Sequence, residues 1–99
     1  MILVRDIFQL KFGKAKEALA HLKEGLPVIK KGGYKPERAL TDFTGDFYTL
    51  IMESKFKDLA DYENALKNEL SMPEWQKWYQ KLVPLVESGR REILTIVEL

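Results

Sequence analysis

Few residues in this chain have side chains suited to chemistry. Among its 99 residues there is no cysteine and one histidine, which excludes disulfides, thiolate nucleophiles and thiolate metal sites and permits a reducing compartment. The sharpest candidate is Asp6, a carboxylate set in the apolar run ILVRDIFQLKF at 2 to 12. Successive strand residues point to opposite faces, so Asp6 cannot pair with its neighbour Arg5 and needs a partner from the helices. A desolvated carboxylate without one resists ionisation and can act as a general base, taking a proton from a phenolic or enolisable substrate. A tyrosine hydroxyl, a lysine, an ordered water or a bulge turning the side chain outward would instead make it a structural acid.

The second candidate group is aromatic. Trp75, Tyr79, Leu82 and Val86 recur along one helical stripe, with Trp78 and Leu85 at its flank. Such stripes are ordinarily core, yet the flank position can bring the Trp78 ring to a pocket mouth, and the Tyr79 hydroxyl can reach a ligand or Asp6. Trp75, Trp78 and Tyr79 are therefore the candidate ligand-binding residues, with Asp6 the candidate catalytic one. His21 has Glu17 four residues before it and Glu24 three after; on a lysine-rich helix this reads as solvated neighbours rather than a metal site. No acid cluster has ligand spacing, no glycine-rich phosphate loop is present, and no serine has a base beside it, so neither metal nor cofactor is expected.

The elements that must position these groups follow from periodicity. After the strand at 2 to 12, Ala15, Ala18, Leu19, Leu22, Leu26 and Ile29 mark helix one, bent at Pro27 and ended by Gly32-Gly33. YKPERALTDF and FYTLIMES form a hairpin about Thr44-Gly45-Asp46, and Pro36, which cannot donate to a ladder, puts the first of the two at a sheet edge. Leu59, Tyr62, Leu66 and Leu70 stripe helix two, with Asp58 and Asp61 in its first turn. Ser71-Met72-Pro73-Glu74 reads as a capping box opening helix three, Ser88-Gly89 as its stop, and REILTIVEL as the last strand.

The order β-α-β-β-α-α-β predicts one α+β domain over 1–99 with a ferredoxin-like antiparallel sheet and its helices on one face. Both faces of its strands carry apolar residues, and one helical layer covers only one of them. A second copy stacked sheet to sheet is the expected cover, which makes a homodimer the predicted partner state. Charge is unevenly spread: residues 1 to 38 hold nine Lys or Arg against four acids, residues 39 to 76 three against eight, and residues 77 to 99 four against three. The resulting +5, −5 and +1 suit a charge-complementary contact between copies. The formal net charge of +1 gives no general attraction for nucleic acid, and Lys30, Lys31, Lys35 and Arg38 read as a solvated loop or protein contact. No apolar run is long enough for a membrane span or signal core, so a cytoplasmic location is expected.

Lys11-Phe12-Gly13-Lys14, Leu26-Pro27 before Gly32-Gly33, and above all PEWQKWYQKLVPLVES at 73 to 88 make the chain resemble the NIPSNAP-like proteins of the dimeric α+β barrel superfamily. Phenylalanine stands here where a Lys-Pro-Gly-Lys turn is common. The resemblance implies two subunits with packed sheets and a small-molecule pocket between sheet and helices. Its relatives include cofactor-independent monooxygenases and haem-degrading enzymes. Asp6 falls near the position of a catalytic asparagine in the latter, but their histidine on the last helix has no counterpart, so haem degradation is not expected. The reading that results is a small-molecule-binding protein, a cofactor-independent monooxygenase or isomerase; the alternative is a non-catalytic assembly module.

Overall fold

The computed structural model describes residues 1–99. Strands β1 (Ile2–Leu10), β2 (Pro36–Thr41), β3 (Thr49–Phe56) and β4 (Val86–Thr95) form one antiparallel sheet in the order β2-β3-β1-β4. Helices α1 (Ala15–Lys31), α2 (Leu59–Leu70) and α3 (Pro73–Leu82) complete the ferredoxin-like α+β fold. The core joins Val4, Leu10, Leu50, Met52 and Phe56 of the sheet to Ala18, Leu22 and Ile29 of α1 and Tyr62 and Ala65 of α2. Pro36 begins the edge strand β2, as its missing donor requires.

Several boundaries differ from the sequence reading, each for a physical reason. β1 stops at Leu10, where its register with β4 shifts, and Phe12 lies outside the strand, exposed against the Tyr48 ring at 4.6 Å. α1 keeps the expected end, closing at Lys31 before Gly32, with Pro27 inside it on its exposed side. The hairpin loop extends to Tyr48, whose positive φ of 61° delays the start of β3 to Thr49. No capping box forms, because Ser71 Oγ donates to the carbonyl of Asn68 at 2.7 Å and so closes α2; Met72 caps α3 with no side-chain bond, ahead of Pro73 in its first turn.

α3 also ends earlier than expected. Pro84 cannot continue an α-helical ladder, so the chain tightens into one 3₁₀ turn, Val83–Leu85, and is extended from Val86. Ser88 and Gly89 are thus strand residues. A Cβ at Gly89 would lie 3.4 Å from both the Ile7 carbonyl and the Phe8 ring, an ordinary contact distance.

The Arg5–Asp6 pair divides between the two faces. On the side away from the helices, Arg5 stands opposite Glu53 of β3 and Glu92 of β4. It donates to Glu53 at 3.0 Å and to Glu92 at 2.8 Å, while Arg38 reaches Glu53 at 2.5 Å and Arg90 reaches Glu92 at 2.7 Å. The ladder Arg38–Glu53–Arg5–Glu92–Arg90 therefore crosses all four strands. Hydrogen bonding from Arg38 is the main reason the Glu53 carboxyl is held below its usual range; burial opposes it, and the Arg38 charge and Arg5 assist. Leu3, Ile7, Leu40, Ile51 and Leu94 flank the ladder by register.

Candidate functional site

Asp6 points to the helix side and is 6% exposed. Its partner comes from the sheet, a correction to the expectation of a helix residue. Arg91 lies directly across from it on β4 and donates through Nε to Asp6 Oδ1. The same guanidinium donates through Nη1 to Tyr62 Oη at 2.5 Å, with its central carbon 5.7 Å from the Tyr62 ring centroid. Nη2 has no protein partner. Burial disfavours the Arg91 cation, but the hydrogen bond and charge of Asp6 outweigh it and hold the group above its ordinary value. Asp6 thus anchors a permanently charged donor.

Glu69 enters from the last turn of α2. Tyr62, Ala65 and Glu69, spaced i, i+3 and i+7, all lie on the buried face of that helix. Glu69 is only 6% exposed, and its carboxyl takes part in no hydrogen bond or ion pair. Burial, and secondarily the negative charge of Asp6, push its carboxyl up to about 7, while Arg91 pulls the other way. Tyr34 faces the same region: Gly33, at φ 108°, turns the chain after α1, and the Tyr34 ring enters the core 6.1 Å from that of Tyr62. Burial is the main cause of a strongly raised phenol pKa, with the neighbouring Tyr62 hydroxyl second, and the Tyr34 hydroxyl has no partner at hydrogen-bonding distance and angle.

These groups border two adjoining spaces. An inner cavity of about 50 Å³ between sheet and helices is lined by Asp6, Tyr34, Glu69 and Arg91 together with Trp75, Trp78, Tyr79 and apolar core residues. An outer cleft of about 390 Å³ runs between the end of α3 and β4, lined by Leu82 and Val83 together with Val86, Ser88 and Gly89 of β4. The two share Asp6, Phe8, Tyr79, Leu82 and Arg91. The cleft is large enough for a single-ring ligand; the cavity holds only a few small atoms.

The structure brings Asp6, Trp75, Trp78 and Tyr79 around one space. Their individual positions differ from what stripe spacing suggests. Trp78 lies inward, over Gly25, where an added Cβ would stand 2.0 Å from its Nε1. Its indole donates to the His21 carbonyl at 2.8 Å, His21 Nε2 lies 2.7 Å from the Trp78 carbonyl, and the two rings stack 5.1 Å apart. His21 is therefore a helix-to-helix clasp, with Glu24 at 3.8 Å, rather than a solvated neighbour. Tyr79, 42% exposed and stacked on Trp75 at 4.8 Å, is the residue at the cleft mouth, and it makes no bond to Asp6. Of the basic cluster, Lys31 pairs with Glu74 at 2.9 Å and Arg38 with Glu53. No three His, Asp or Glu residues converge as metal ligands.

Glu69, Arg91, Tyr62 and Tyr34 escaped the sequence reading. The available signal was an acid at a stripe position, one helical face with Tyr62. Chemically the group combines an unpaired carboxyl that gains or loses a proton near neutrality with a fixed guanidinium holding a free N–H. That pairing can remove a proton and stabilise the oxyanion that forms.

Comparison with known proteins bears on the fold. The NIPSNAP family profile matches residues 5–99. An uncharacterized NIPSNAP domain protein from Burkholderia xenovorans superposes with a TM-score of 0.93 at 18% identity, covering 98% of this chain and 95% of that one. A NIPSNAP family protein from Agrobacterium tumefaciens gives 0.92 at 20% identity over 98% and 93%. SnoaB, a cofactor-independent oxygenase from Streptomyces nogalater, gives 0.74 at 13% identity over 99% and 94%. No curated protein matches the chain.

Proposed function

This chain belongs to the NIPSNAP family, and on that footing we propose that it binds a small enolisable or phenolic compound in the α3–β4 cleft and removes a proton from it. Glu69 is the base. Arg91, held in place by Asp6 and Tyr62, donates through Nη2 to the developing oxyanion, while Tyr79 and Phe8 wall the ring. Proton abstraction next to a carbonyl is the central step of an isomerase and also the first step of a cofactor-independent oxygenation, the activity named for the Streptomyces nogalater protein. The observation that carries the reading is the burial of the Glu69 carboxyl without a bonded partner, in an inner cavity that shares Asp6 and Arg91 with the cleft.

The test uses phenylacetone in D2O, with exchange of its α-hydrogens followed by NMR. The protein is expected to accelerate exchange with a pH profile that rises through about 7. Glu69→Gln should lower the rate by a factor of roughly 10²–10⁴ without loss of the fold. No acceleration, or an unaltered rate in the Gln variant, refutes the assignment.

A second reading concerns assembly. Residues 1–99 form the domain, and its open sheet face, with Leu3, Ile7, Leu40, Ile51 and Leu94 around the ladder, is taken to stack on a second copy in a homodimer. Light scattering at high concentration tests this, and a monomer there rejects it. No helix is long and apolar enough to cross a membrane. Together with the absence of cysteine this supports a cytoplasmic setting.

A further inference from the structure

The inner cavity poses a separate question of polar satisfaction. A buried hydroxyl or carboxyl left without a partner is costly, and proteins ordinarily resolve it with protein atoms or a bound water. Two such groups line this one space. Tyr34, 3% exposed, has a fully buried hydroxyl with no hydrogen-bond partner, and Glu69, 6% exposed, has a carboxyl that makes no hydrogen bond or ion pair and keeps slight access to solvent. The remaining polar lining is the Asp6–Arg91 pair, whose free Nη2 is a further available donor. At about 50 Å³ the cavity exceeds the roughly 10–15 Å³ that one water requires, and a buried water needs about two to four polar partners.

We infer that this cavity is a water site, in which one bound water accepts a hydrogen bond from Tyr34 and donates one to Glu69. The inference rests on Glu69 as the base and assigns that site its proton path. The water stands between the carboxyl and the wall shared with the outer cleft, so a proton taken from a ligand reaches Glu69 through it. The transfer is balanced: the water gives one proton to the carboxylate as it receives one from the ligand, and it is regenerated. Tyr34 is then a positioning residue. Its phenol stays protonated because of burial, which keeps it a donor to the water throughout the working pH range.

The groups facing Glu69 are Asp6 from β1, Tyr34 from the segment after α1, Tyr62 on its own helix, Tyr79 from α3 and Arg91 from β4. Only removal of the Tyr34 hydroxyl unanchors the water while leaving every charge in place.

The test has two parts. An atomic-resolution crystal structure of the unaltered protein should show one density peak at about 2.6–3.2 Å from both Tyr34 Oη and a Glu69 oxygen. In Tyr34→Phe, the Glu69 midpoint read by carboxyl ¹³C NMR should rise by roughly one unit, since the ionised form loses an oriented donor. A dry cavity in that map, or a Tyr34 hydroxyl bonded directly to protein, overturns the water site, as does an unmoved midpoint. Should the variant fail to fold, the map alone decides. A Glu69 midpoint near 4.5 in the unaltered protein would sink the base assignment, whereas a shared water peak would still uphold the site.

Discussion

Arg5 and Asp6 are adjacent in the chain, and the two sides of the sheet treat them differently. On the open side every charge of the Arg38–Glu53–Arg5–Glu92–Arg90 ladder has a partner, and each of its two acids is held by two arginines. On the helix side three charged groups meet, and only two of them pair: Asp6 holds Arg91, which leaves Glu69 alone. The same chemical types therefore build a saturated network on one face and a deficient one on the other. Hydrogen bonding from Arg38, assisted by Arg5, lowers the proton affinity of Glu53; burial, with the charge of Asp6, raises that of the unpaired Glu69 to the neutral range. A site for proton transfer needs the second condition.

The sharpest way to break this contrast is to remove the one cation on the helix side. Arg91→Met leaves Asp6 buried without a counter-charge beside a second acid, and should cost about 3 kcal/mol in urea unfolding at pH 7, somewhat under the full value for a buried pair because Arg91 is partly exposed. A loss under about 1 kcal/mol would mean that Asp6 is solvated and that the two faces are electrostatically alike.

A second test reads the deficiency through pH. The folded protein keeps the Glu69 proton up to about pH 7, whereas the unfolded chain releases it near 4.5, so between these values the folded state binds more protons. Stability from this residue is accordingly complete below pH 4.5 and falls as pH rises to about 7, by on the order of 3 kcal/mol. Glu69→Gln should lack that component and gain on the parent protein as pH rises across the window. Parallel stability curves for the two proteins would contradict the assignment.

On the open face the expected effects are smaller. Arg5→Met removes one of two cations from Glu53 and one of two from Glu92, with Arg38 and Arg90 remaining, so a loss of about 1 kcal/mol is predicted, diminishing in high salt. A loss as large as that of Arg91→Met would show that the ladder is not redundant and would erase the distinction between the faces.

Much of this architecture is legible without coordinates. Period-two alternation puts Val4, Asp6 and Leu10 on one side of β1; Pro36 marks β2 as an edge; and the Ala18, Leu22, Ile29 stripe identifies the buried face of α1. The partner of Asp6 was hidden because it depends on the β1–β4 register, a long-range pairing between residues 85 apart. Glu69 was hidden because a stripe is recognised by its apolar members, which leads the eye from Leu66 to Leu70 and past the acid that lies on the buried side; Leu70 itself is half exposed. The end of α3 was misplaced because Ser88-Gly89 resembles a stop, although Pro84 is the stronger breaker and comes first.

Carboxyl ¹³C NMR of Glu69, followed from pH 3 to pH 9, tests the central claim most directly. A midpoint at about 7 is the result required of an unpaired buried acid poised to exchange a proton with a ligand. A midpoint near 4.5, the ordinary value, would show that the carboxyl is open to bulk solvent or ion-paired and that the helix side of the sheet holds no base.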